Sequence, residues 1–403
     1  MYQAGLDGMS KRDLLERAKK HIFSTGLNDV ASYLCRLNMR YGLAKIHYTQ
    51  WKLGMEPNAT FISAPDETVT RNKVRWENGI GYGGKVRWGD GKDKVVILDV
   101  LPNACGMLVG GLNELPKPEE VINAVYEVRS KEVTLEGVSI KWDFHVGNHF
   151  IDVFKVVRVA DVKLPEYVFI IHGAAPELKG ENPKGVGLYY HKSPSLEQMA
   201  KKVETPFGTC RVLVDDDAKE YLEFFRFAER FSKERRRLAA KEIFGSFQEI
   251  SNEIHQGLIN YNEAILGCHS FKEGVIYPIA LRGDLPAYLV AGKPNFSEEV
   301  VEGLGFLRRA EKLGILERLE NANIMPHGGG YTFPDMLEVS GEVVVKGKRY
   351  FIVETRSGIG QKIISDVSGL EYTYRGREVV VRALELKMCE IIARLMPVYV
   401  LKI

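Results

Sequence analysis

The order of apolar and polar residues divides the chain into a helical first part and a β-rich middle part. Between residues 10 and 55, apolar side chains recur at helical spacing, and Ser10 stands as an N-cap before KRDLLERAKKHIF. From about residue 60 to 215 the sequence changes to short β-rich runs broken by glycine. Several runs are almost continuously apolar, as expected of strands buried on both faces. They cover residues 94–100, 105–112, 149–159, 167–173 and 208–214.

Helical and strand patterns alternate in the second half. A long amphipathic helix or helix pair is predicted over 215–254, with three aspartates at its positive end. The elements expected after it are a short β segment at 275–292, a helix over 297–320, a hairpin over 341–357 with KGK at the turn, a strand at 378–386 and a final helix running into MPVYVLKI. The prediction is therefore an α+β fold, a single large mixed α/β domain over 91–403 with a helical or irregular N-terminal segment over 1–90.

Composition and charge exclude several classes of protein. The 403 residues carry 55 Lys and Arg against 53 Asp and Glu, so a nucleic-acid binder would need local patches. Two basic runs, KVRWGDGK (85–92) and ERRRLAAK (234–241), could be such patches, although a basic helix face is more often simply solvated. Five scattered cysteines without a CxxC, no signal-peptide pattern and no membrane-length apolar run predict a cytoplasmic protein without membrane contact.

One cysteine and three histidines are candidates for metal chemistry. His149 and His172 each lie at the end of an apolar strand near glycine, and Cys105 has the same setting. His255 falls late in the predicted long helix. Thiolate and imidazole together suit Zn²⁺, Mn²⁺, Fe²⁺ or Co²⁺. Because these residues are scattered along the chain, their spacing leaves satisfied core or loop histidines as the alternative.

The run HGGG, which begins at His327, has two interpretations. Successive N–H groups in a glycine loop can bind an anion, and a neighbouring histidine can contact or attack a phosphate. The simpler interpretation is a turn that needs positive φ. The motif alone leaves both open.

Taken in order, these segments resemble motifs of the RtcB family of RNA-splicing ligases. GNHFIDV (147–153), which is similar to the family's GNHF(I/L)EV, is the most specific match. The other matches, each followed by the family motif, are NACGM (DxxCG), IIHGAAPELKG (IHTGSRGLG), EIHQGLINYNE (the AHN segment), LRGDLPAYLVAG (PGSMGTASY(V/I)L), MPHGGGY (HGAGR) and LMPVYVLKI (LRPxxVxKG). The resemblance covers about residues 95–403 and implies an RtcB-like fold for that part.

The resemblance also implies roles for individual residues. Cys105 would bridge two Mn²⁺ ions, and His327 would be the catalytic nucleophile that attacks the α-phosphate of GTP and holds GMP as a phosphoramidate. The imidazole ligands would be His149, His172 and His255. The nucleotide would be bound by Asn148, Asp152, Gly328, Gly329, Gly330 and Lys402.

The chain departs from the family pattern at several charged positions. Pro102 stands where the family has an acidic metal ligand, so Asp99 would have to supply that carboxylate. Tyr331 replaces the arginine of HGAGR, and Pro176–Glu177 replace a segment that carries another arginine. Lys272 is the one fixed cation left in a segment that is basic in the family. Each loss removes a phosphate contact.

The function implied by the resemblance is GTP- and Mn²⁺-dependent RNA ligation. The enzyme would join an RNA 3′-phosphate or 2′,3′-cyclic phosphate end to a 5′-hydroxyl end, with tRNA halves as substrates and an accessory activator protein as a partner. The departures leave two alternatives: a non-catalytic relative that binds RNA or a protein partner, and a metal-dependent phosphohydrolase that needs no GTP.

Overall fold

Helices and strands occupy similar shares of the computed structural model, 32% and 34%. It describes residues 5–144, 146–160, 162–358 and 360–401. This content confirms the α+β fold class expected from the sequence.

The helices of the described residues include two within residues 10–55, the segment that the sequence pattern predicts to be helical. Ser10 caps the first one, because its side-chain oxygen accepts a hydrogen bond from the N–H of Asp13. The α-helices are α1 (Lys11–Lys20), α2 (Val30–Lys52), α3 (Lys73–Glu77), α4 (Pro118–Ser130), α5 (Pro194–Met199), α6 (Asp215–Phe244), α7 (Glu298–Gly303), α8 (Leu307–Leu313), α9 (Leu316–Glu320) and α10 (Glu378–Glu385). Within the described ranges, no helix combines the length and apolar character that a membrane crossing requires.

The strands fall into two large sheets and several small ones. They are β1 (Ile22–Phe23), β2 (Thr60–Thr68), β3 (Tyr82–Arg87), β4 (Val95–Ile97), β5 (Gly106–Leu112), β6 (Thr134–Leu135), β7 (Val138–Ser139), β8 (Phe150–Val159), β9 (Tyr167–Gly173), β10 (Lys201–Thr205), β11 (Gly208–Val214), β12 (Gln248–Ile254), β13 (Gln256–Asn260), β14 (Glu263–Leu266), β15 (Cys268–Ser270), β16 (Ile276–Ile279), β17 (Ala287–Gly292), β18 (Ile324–Pro326), β19 (Tyr331–Thr332), β20 (Met336–Val345), β21 (Lys348–Thr355), β22 (Gln361–Ile364), β23 (Thr373–Tyr374) and β24 (Cys389–Leu401).

The larger sheet has seven antiparallel strands in the order β12-β5-β9-β8-β24-β17-β16. Three of its strands, β5, β8 and β9, are apolar runs that the sequence pattern predicts. Leu108, Ile151 and Phe169 on its buried face pack with residues of α4 and α6. Neighbouring antiparallel strands bring the start of one strand beside the end of the next, which determines where the candidate site forms.

A five-stranded sheet joins the N-terminal segment to the rest of the chain. Its order is β1-β2-β3-β14-β13, with β1 parallel to β2 and the other pairs antiparallel. The first three strands come from residues 1–90 and the last two from residues 256–266. The boundary predicted at residue 90 therefore does not coincide with a division between sheets.

The predicted helix over 215–254 is correct only in its first part. Helix α6 ends at Phe244, Gly245 follows with a φ of 69°, and residues 248–254 form β12. His255 therefore lies between two strands and not in a helix. Because β12 and β13 belong to different sheets, His255 lies where the chain passes from one sheet to the other.

Other expectations for the second half are partly wrong. The predicted hairpin is confirmed, with Lys346 and Gly347 at positive φ between β20 and β21. The single helix predicted over 297–320 is three short helices. The strand and helix at the C-terminus were predicted in the wrong order: residues 378–385 are helical, and residues 389–401 form β24. The β-branched run VVV suggested a strand, but burial of Val379 and Val380 on one side suits a helix.

Candidate active site

Cys105, His172 and His255 converge in the interior, although 67 and 83 residues separate them along the chain. Strand β5 pairs with β9 so that Gly106 lies opposite Gly173, which brings Cys105 beside His172. The backbone N–H of His255 donates to the carbonyl of Cys105 at 2.8 Å. Three adjacent strands of the larger sheet thus determine the positions of the three side chains.

The donor atoms of these residues suit one divalent cation. The Sγ of Cys105 lies 3.2 Å from Nε2 of His172, which lies 3.2 Å from Nε2 of His255. One ligand atom from each residue lies within 4.8 Å of the others, and all three side chains are buried. Burial and neighbouring histidines lower the pKa of His172 and of His255 well below the usual range. Both imidazoles are therefore neutral, and each can offer a nitrogen lone pair to a metal ion. One sulfur and two imidazole nitrogens fit Zn²⁺, Mn²⁺, Fe²⁺ or Co²⁺.

Hydrogen bonds hold the two imidazoles nearest the thiol in fixed orientations. Nδ1 of His172 donates to the carbonyl of Asn148 at 3.0 Å, which leaves Nε2 toward Cys105. His149 lies beside the group, with Nε2 3.4 Å from the Cys105 sulfur and Nδ1 2.8 Å from the Asp143 carboxylate. Burial opposes a charge on His149, but the Cys105 and Asp143 charges outweigh it and raise its pKa to about 10. A cation bound at Cys105 would compete with that proton.

His327 lies against this group and is held by a carboxylate. Its ring centroid is 4.3 Å from that of His255. Nδ1 of His327 donates to Oδ2 of Asp66 at 2.8 Å, and the same oxygen accepts the backbone N–H of His327 at 3.0 Å. Asp66 lies in the fully buried strand β2. The carboxylate therefore fixes the ring and leaves Nε2 as the nitrogen available for reaction.

The glycines after His327 are required by close backbone packing. A Cβ on Gly328, Gly329 or Gly330 would lie 2.4 to 2.7 Å from a backbone carbonyl oxygen. Gly330 alone of the three has positive φ, at 66°. The turn interpretation therefore explains one glycine, and the space available explains all three.

The glycine loop forms one wall of a cleft. The cleft contains about 690 Å³ of empty space, including the part open to solvent. Asn148 and Asp152 line the same cleft as His327, and Tyr331 and Arg282 contribute to its wall. The structure thus brings together the residues expected at the nucleotide, except Lys402, which lies outside the described residues.

Asp99, expected as a metal ligand, is engaged elsewhere. Its carboxylate forms a buried ion pair with Lys45 at 2.6 Å and accepts the backbone N–H of Arg211 at 3.4 Å. It also does not belong to any group of metal-binding donors found among the described residues. The expectation failed because a buried carboxylate takes the nearest cation, and the helix that carries Lys45 supplies it. The described donors therefore support one ion more directly than two.

Several side chains of the basic runs considered for RNA contact are engaged within the protein. Arg235 and Arg236 are fully buried. Arg235 pairs with Asp143 at 2.8 Å and Glu177 at 3.0 Å, while Lys85 pairs with Glu263 at 3.0 Å. These side chains are neither an RNA-binding patch nor a solvated face. Arg235 and Lys85 neutralise carboxylates within the protein, whereas Arg236 donates to the side chains of Asn252 and Ser232 and to the carbonyl of Gly173.

Two carboxylates at the site were not expected from the sequence. Asp66 orients His327, and Asp143 orients His149. Asp66 lies between Pro65 and Glu67 in the segment TFISAPDET, and nothing in that local pattern distinguishes it. Asp143 lies six residues before His149 and had no distinguishing pattern.

Comparison with models of known protein families finds no match, and comparison with curated proteins finds no relative. The argument for function therefore rests on the geometry of the site and on the motifs within it.

Proposed function

We propose that the chain is a divergent RtcB-like RNA ligase that transfers GMP from GTP to His327 and then to an RNA 3′-phosphate. The observation that carries the proposal is the position of His327. Its Nδ1 is bound to buried Asp66, its ring lies 4.3 Å from His255 of the Cys/His group, and a glycine loop follows it in a cleft.

A metal ion in this proposal is held by Cys105, His172 and His255. The thiolate and the two Nε2 atoms are its donors, and the residues present fit one such ion. When bound, the ion neutralises phosphate charge and so makes the phosphorus accessible to a neutral nucleophile. The resemblance favours Mn²⁺, and the family's second ion would need donors other than Asp99.

His327 acts as the nucleophile in the first step. Its Nε2 lone pair attacks the α-phosphorus of GTP, an N–P bond forms, and the bond to the bridging oxygen breaks so that pyrophosphate leaves. Asp66 keeps the ring proton on Nδ1 and stabilises the positive charge that develops on the imidazole. A histidine without this carboxylate would present the wrong tautomer for much of the time.

The cleft residues would bind the nucleotide. Gly329 and Gly330 line the cleft, where their backbone N–H groups would donate to phosphate oxygens. Asp152, which is 6% exposed, adds a carboxylate that would accept hydrogen bonds from the guanine edge or the ribose. Arg282 lies in the same wall and is paired with Asp284 at 2.7 Å, so a phosphate would compete for it.

An RNA end would react in the second step. A 3′-phosphate oxygen attacks the phosphorus of the histidine adduct, the N–P bond breaks, and the activated RNA end carries GMP. A 5′-hydroxyl then attacks the RNA phosphorus and GMP leaves. A 2′,3′-cyclic phosphate would first be opened by water. We propose RNA with broken ends, such as tRNA halves, as the substrate, and an accessory activator protein as a partner.

Two observations favour a second candidate, a phosphohydrolase that opens cyclic phosphates without GTP. The Asp99 carboxylate forms an ion pair with Lys45 and is not among the metal donors. Tyr331 in the cleft wall takes the place of an expected arginine. A site with one metal and fewer cations is adequate for hydrolysis. It would not require a covalent step on His327.

Ligation assays separate the two candidates. The substrate is an RNA oligonucleotide with a 2′,3′-cyclic phosphate and a second with a 5′-hydroxyl, incubated with Mn²⁺ with and without GTP. We expect a joined product only with GTP. Opening of the cyclic phosphate that is independent of GTP, with no joined product, would assign the chain to hydrolysis.

A further inference from the structure

A second cleft lies between α1 and α8 and shares no lining residue with the cleft at His327. It contains about 1400 Å³ of empty space, including the part open to solvent. We call it the basic cleft, after the five cations that line it: Arg17, Lys20, Arg308, Arg309 and Lys312. Two carboxylates, Asp13 and Glu16, also line it, so cations are in excess.

Most of these cations have no anionic partner in the part of the chain that the structure describes. Among the described residues, no carboxylate lies within ion-pair distance of Lys20, Arg308, Arg309 or Lys312. Arg17 donates to a backbone carbonyl, and its Nε is buried without a partner in the same described part of the chain. The buried Nε of Arg17 lacks an acceptor, which is costly. Lys20, Arg308 and Lys312 are exposed to solvent, and a bound anion would give these converging cations a charged partner.

His21 closes the buried end of the cleft. It is 1% exposed, and neither ring nitrogen has a hydrogen-bond partner among the described residues. Burial, together with repulsion from Arg17 and Arg318, lowers its pKa to about 3, so the ring is neutral and offers one N–H donor and one acceptor. The ring of His21 packs edge-on against that of His47. A buried imidazole that lines a cleft, with neither ring nitrogen hydrogen-bonded in the described part of the chain, is an independent sign of a ligand.

Helix electrostatics do not explain this arrangement. Lys20 at the C-terminal end of α1 complements the helix dipole, as basic residues commonly do. Arg308 and Arg309 lie in the first turn of α8, where a cation is disfavoured. Their convergence on the same cleft therefore has a cost that a bound anion would offset.

We propose that the basic cleft binds a small molecule that carries several phosphate groups. Guanidinium groups match pairs of phosphate oxygens, and lysines add charge without demanding a fixed geometry. A concave cleft closed by a buried histidine suits a compact ligand, whereas nucleic acid is usually bound along an open basic stripe. The site is separate from the nucleotidyl chemistry proposed for His327 and does not depend on it.

Calorimetric titration of the full chain with inorganic tripolyphosphate, in metal-free buffer, tests the proposal. We expect saturable binding that weakens by about tenfold or more in Lys20→Glu/Lys312→Glu, since two charge-assisted contacts become repulsive. Both lysines are exposed, so the variant should fold. The matched control is Lys11→Glu/Lys19→Glu, which makes the same charge change on exposed α1 positions outside the cleft.

Three results would overturn the proposal. One is the absence of saturable binding, and another is an equal loss of affinity in the control variant, which would indicate an unspecific charge effect. The third is binding of single-stranded RNA that depends on Lys20 and Lys312 when tripolyphosphate does not bind, which would assign the cleft to nucleic acid. A change in the ring nitrogen NMR signals of His21 on adding tripolyphosphate would support the proposal directly.

Discussion

The carboxylate of Asp66 accepts a hydrogen bond from Nδ1 of His327 at 2.8 Å, across 261 residues of sequence. Asp66 is fully buried, and its Oδ2 also accepts the backbone N–H of His327. The ring is therefore held in one orientation beside the Cys/His group before any ligand arrives. This pairing of a buried carboxylate with an imidazole is what the proposed nucleophile requires.

The role of this carboxylate can be tested by Asp66→Asn. The amide keeps the shape of the side chain but no longer favours the reactive tautomer, so formation of the GMP adduct should slow by about a hundredfold or more. Single-turnover measurements with labelled GTP give the rate. The matched control is Glu67→Gln, a neighbouring buried carboxyl that bonds to Ser24 and not to His327. Similar rates in wild type and Asp66→Asn would contradict the assignment.

The metal assignment predicts a thiolate ligand. Protein loaded with Co²⁺ should show thiolate-to-metal charge-transfer absorption, and Cys105→Ser should remove it and lower metal content after dialysis. Cys210→Ser serves as the control, because this cysteine is also buried but lies near Asp99 and Thr49. Absorption that survives in Cys105→Ser and disappears in Cys210→Ser would place the metal elsewhere.

Glu67 should make stability depend on pH. Burial raises its pKa from 4.5 to about 7, so the folded chain holds a proton that the unfolded chain has lost. This stabilisation is fully present below pH 4.5 and is lost as the pH rises to about 7, at a cost of about 3 kcal/mol. Urea unfolding at several pH values measures it. The free energy of unfolding of Glu67→Gln should lack this decline, and an identical pH profile in both proteins would refute the prediction.

Arg235 should be essential for stability. Its fully buried guanidinium binds Asp143 and Glu177, so Arg235→Ala leaves buried Glu177 without its cation and Asp143 with His149 alone, and should cost about 3 to 5 kcal/mol. The more exposed Arg237 on the same helix pairs with Glu249, and Arg237→Ala should cost about 1 kcal/mol or less. Urea denaturation compares the two variants. Equal losses in the free energy of unfolding would mean that the buried ion pairs of Arg235 contribute no more to stability than the exposed pair of Arg237.

The sequence predicted those site residues that lie within short segments with a recognisable local pattern. Cys105, His172 and His327 stand beside glycines at the ends of strands, and each segment carries its own pattern. The pairing of β5 with β9 then brings Cys105 and His172 together. His255 was expected in the site but in the wrong element, because the run EISNEIHQG fits a helical period as well as a strand period.

The parts that could not be predicted depend on contacts between distant residues. Lys45 neutralises Asp99 from another element, and Asp66 reaches His327 from a strand in the first quarter of the chain. The C-terminal strand β24 is held between β8 and β17, so pairing on both sides decides its structure and local propensity does not. Local patterns carry no information about such partners.

The most direct test of the central claim is incubation of the purified chain with α-labelled GTP and Mn²⁺, followed by denaturing electrophoresis. We predict a labelled protein band that is absent in His327→Ala, retained in His191→Ala at an exposed histidine outside the site, and not formed with γ-labelled GTP, because pyrophosphate leaves. A band of undiminished intensity in His327→Ala, or no band with Mn²⁺, Zn²⁺ or Co²⁺, would contradict the account.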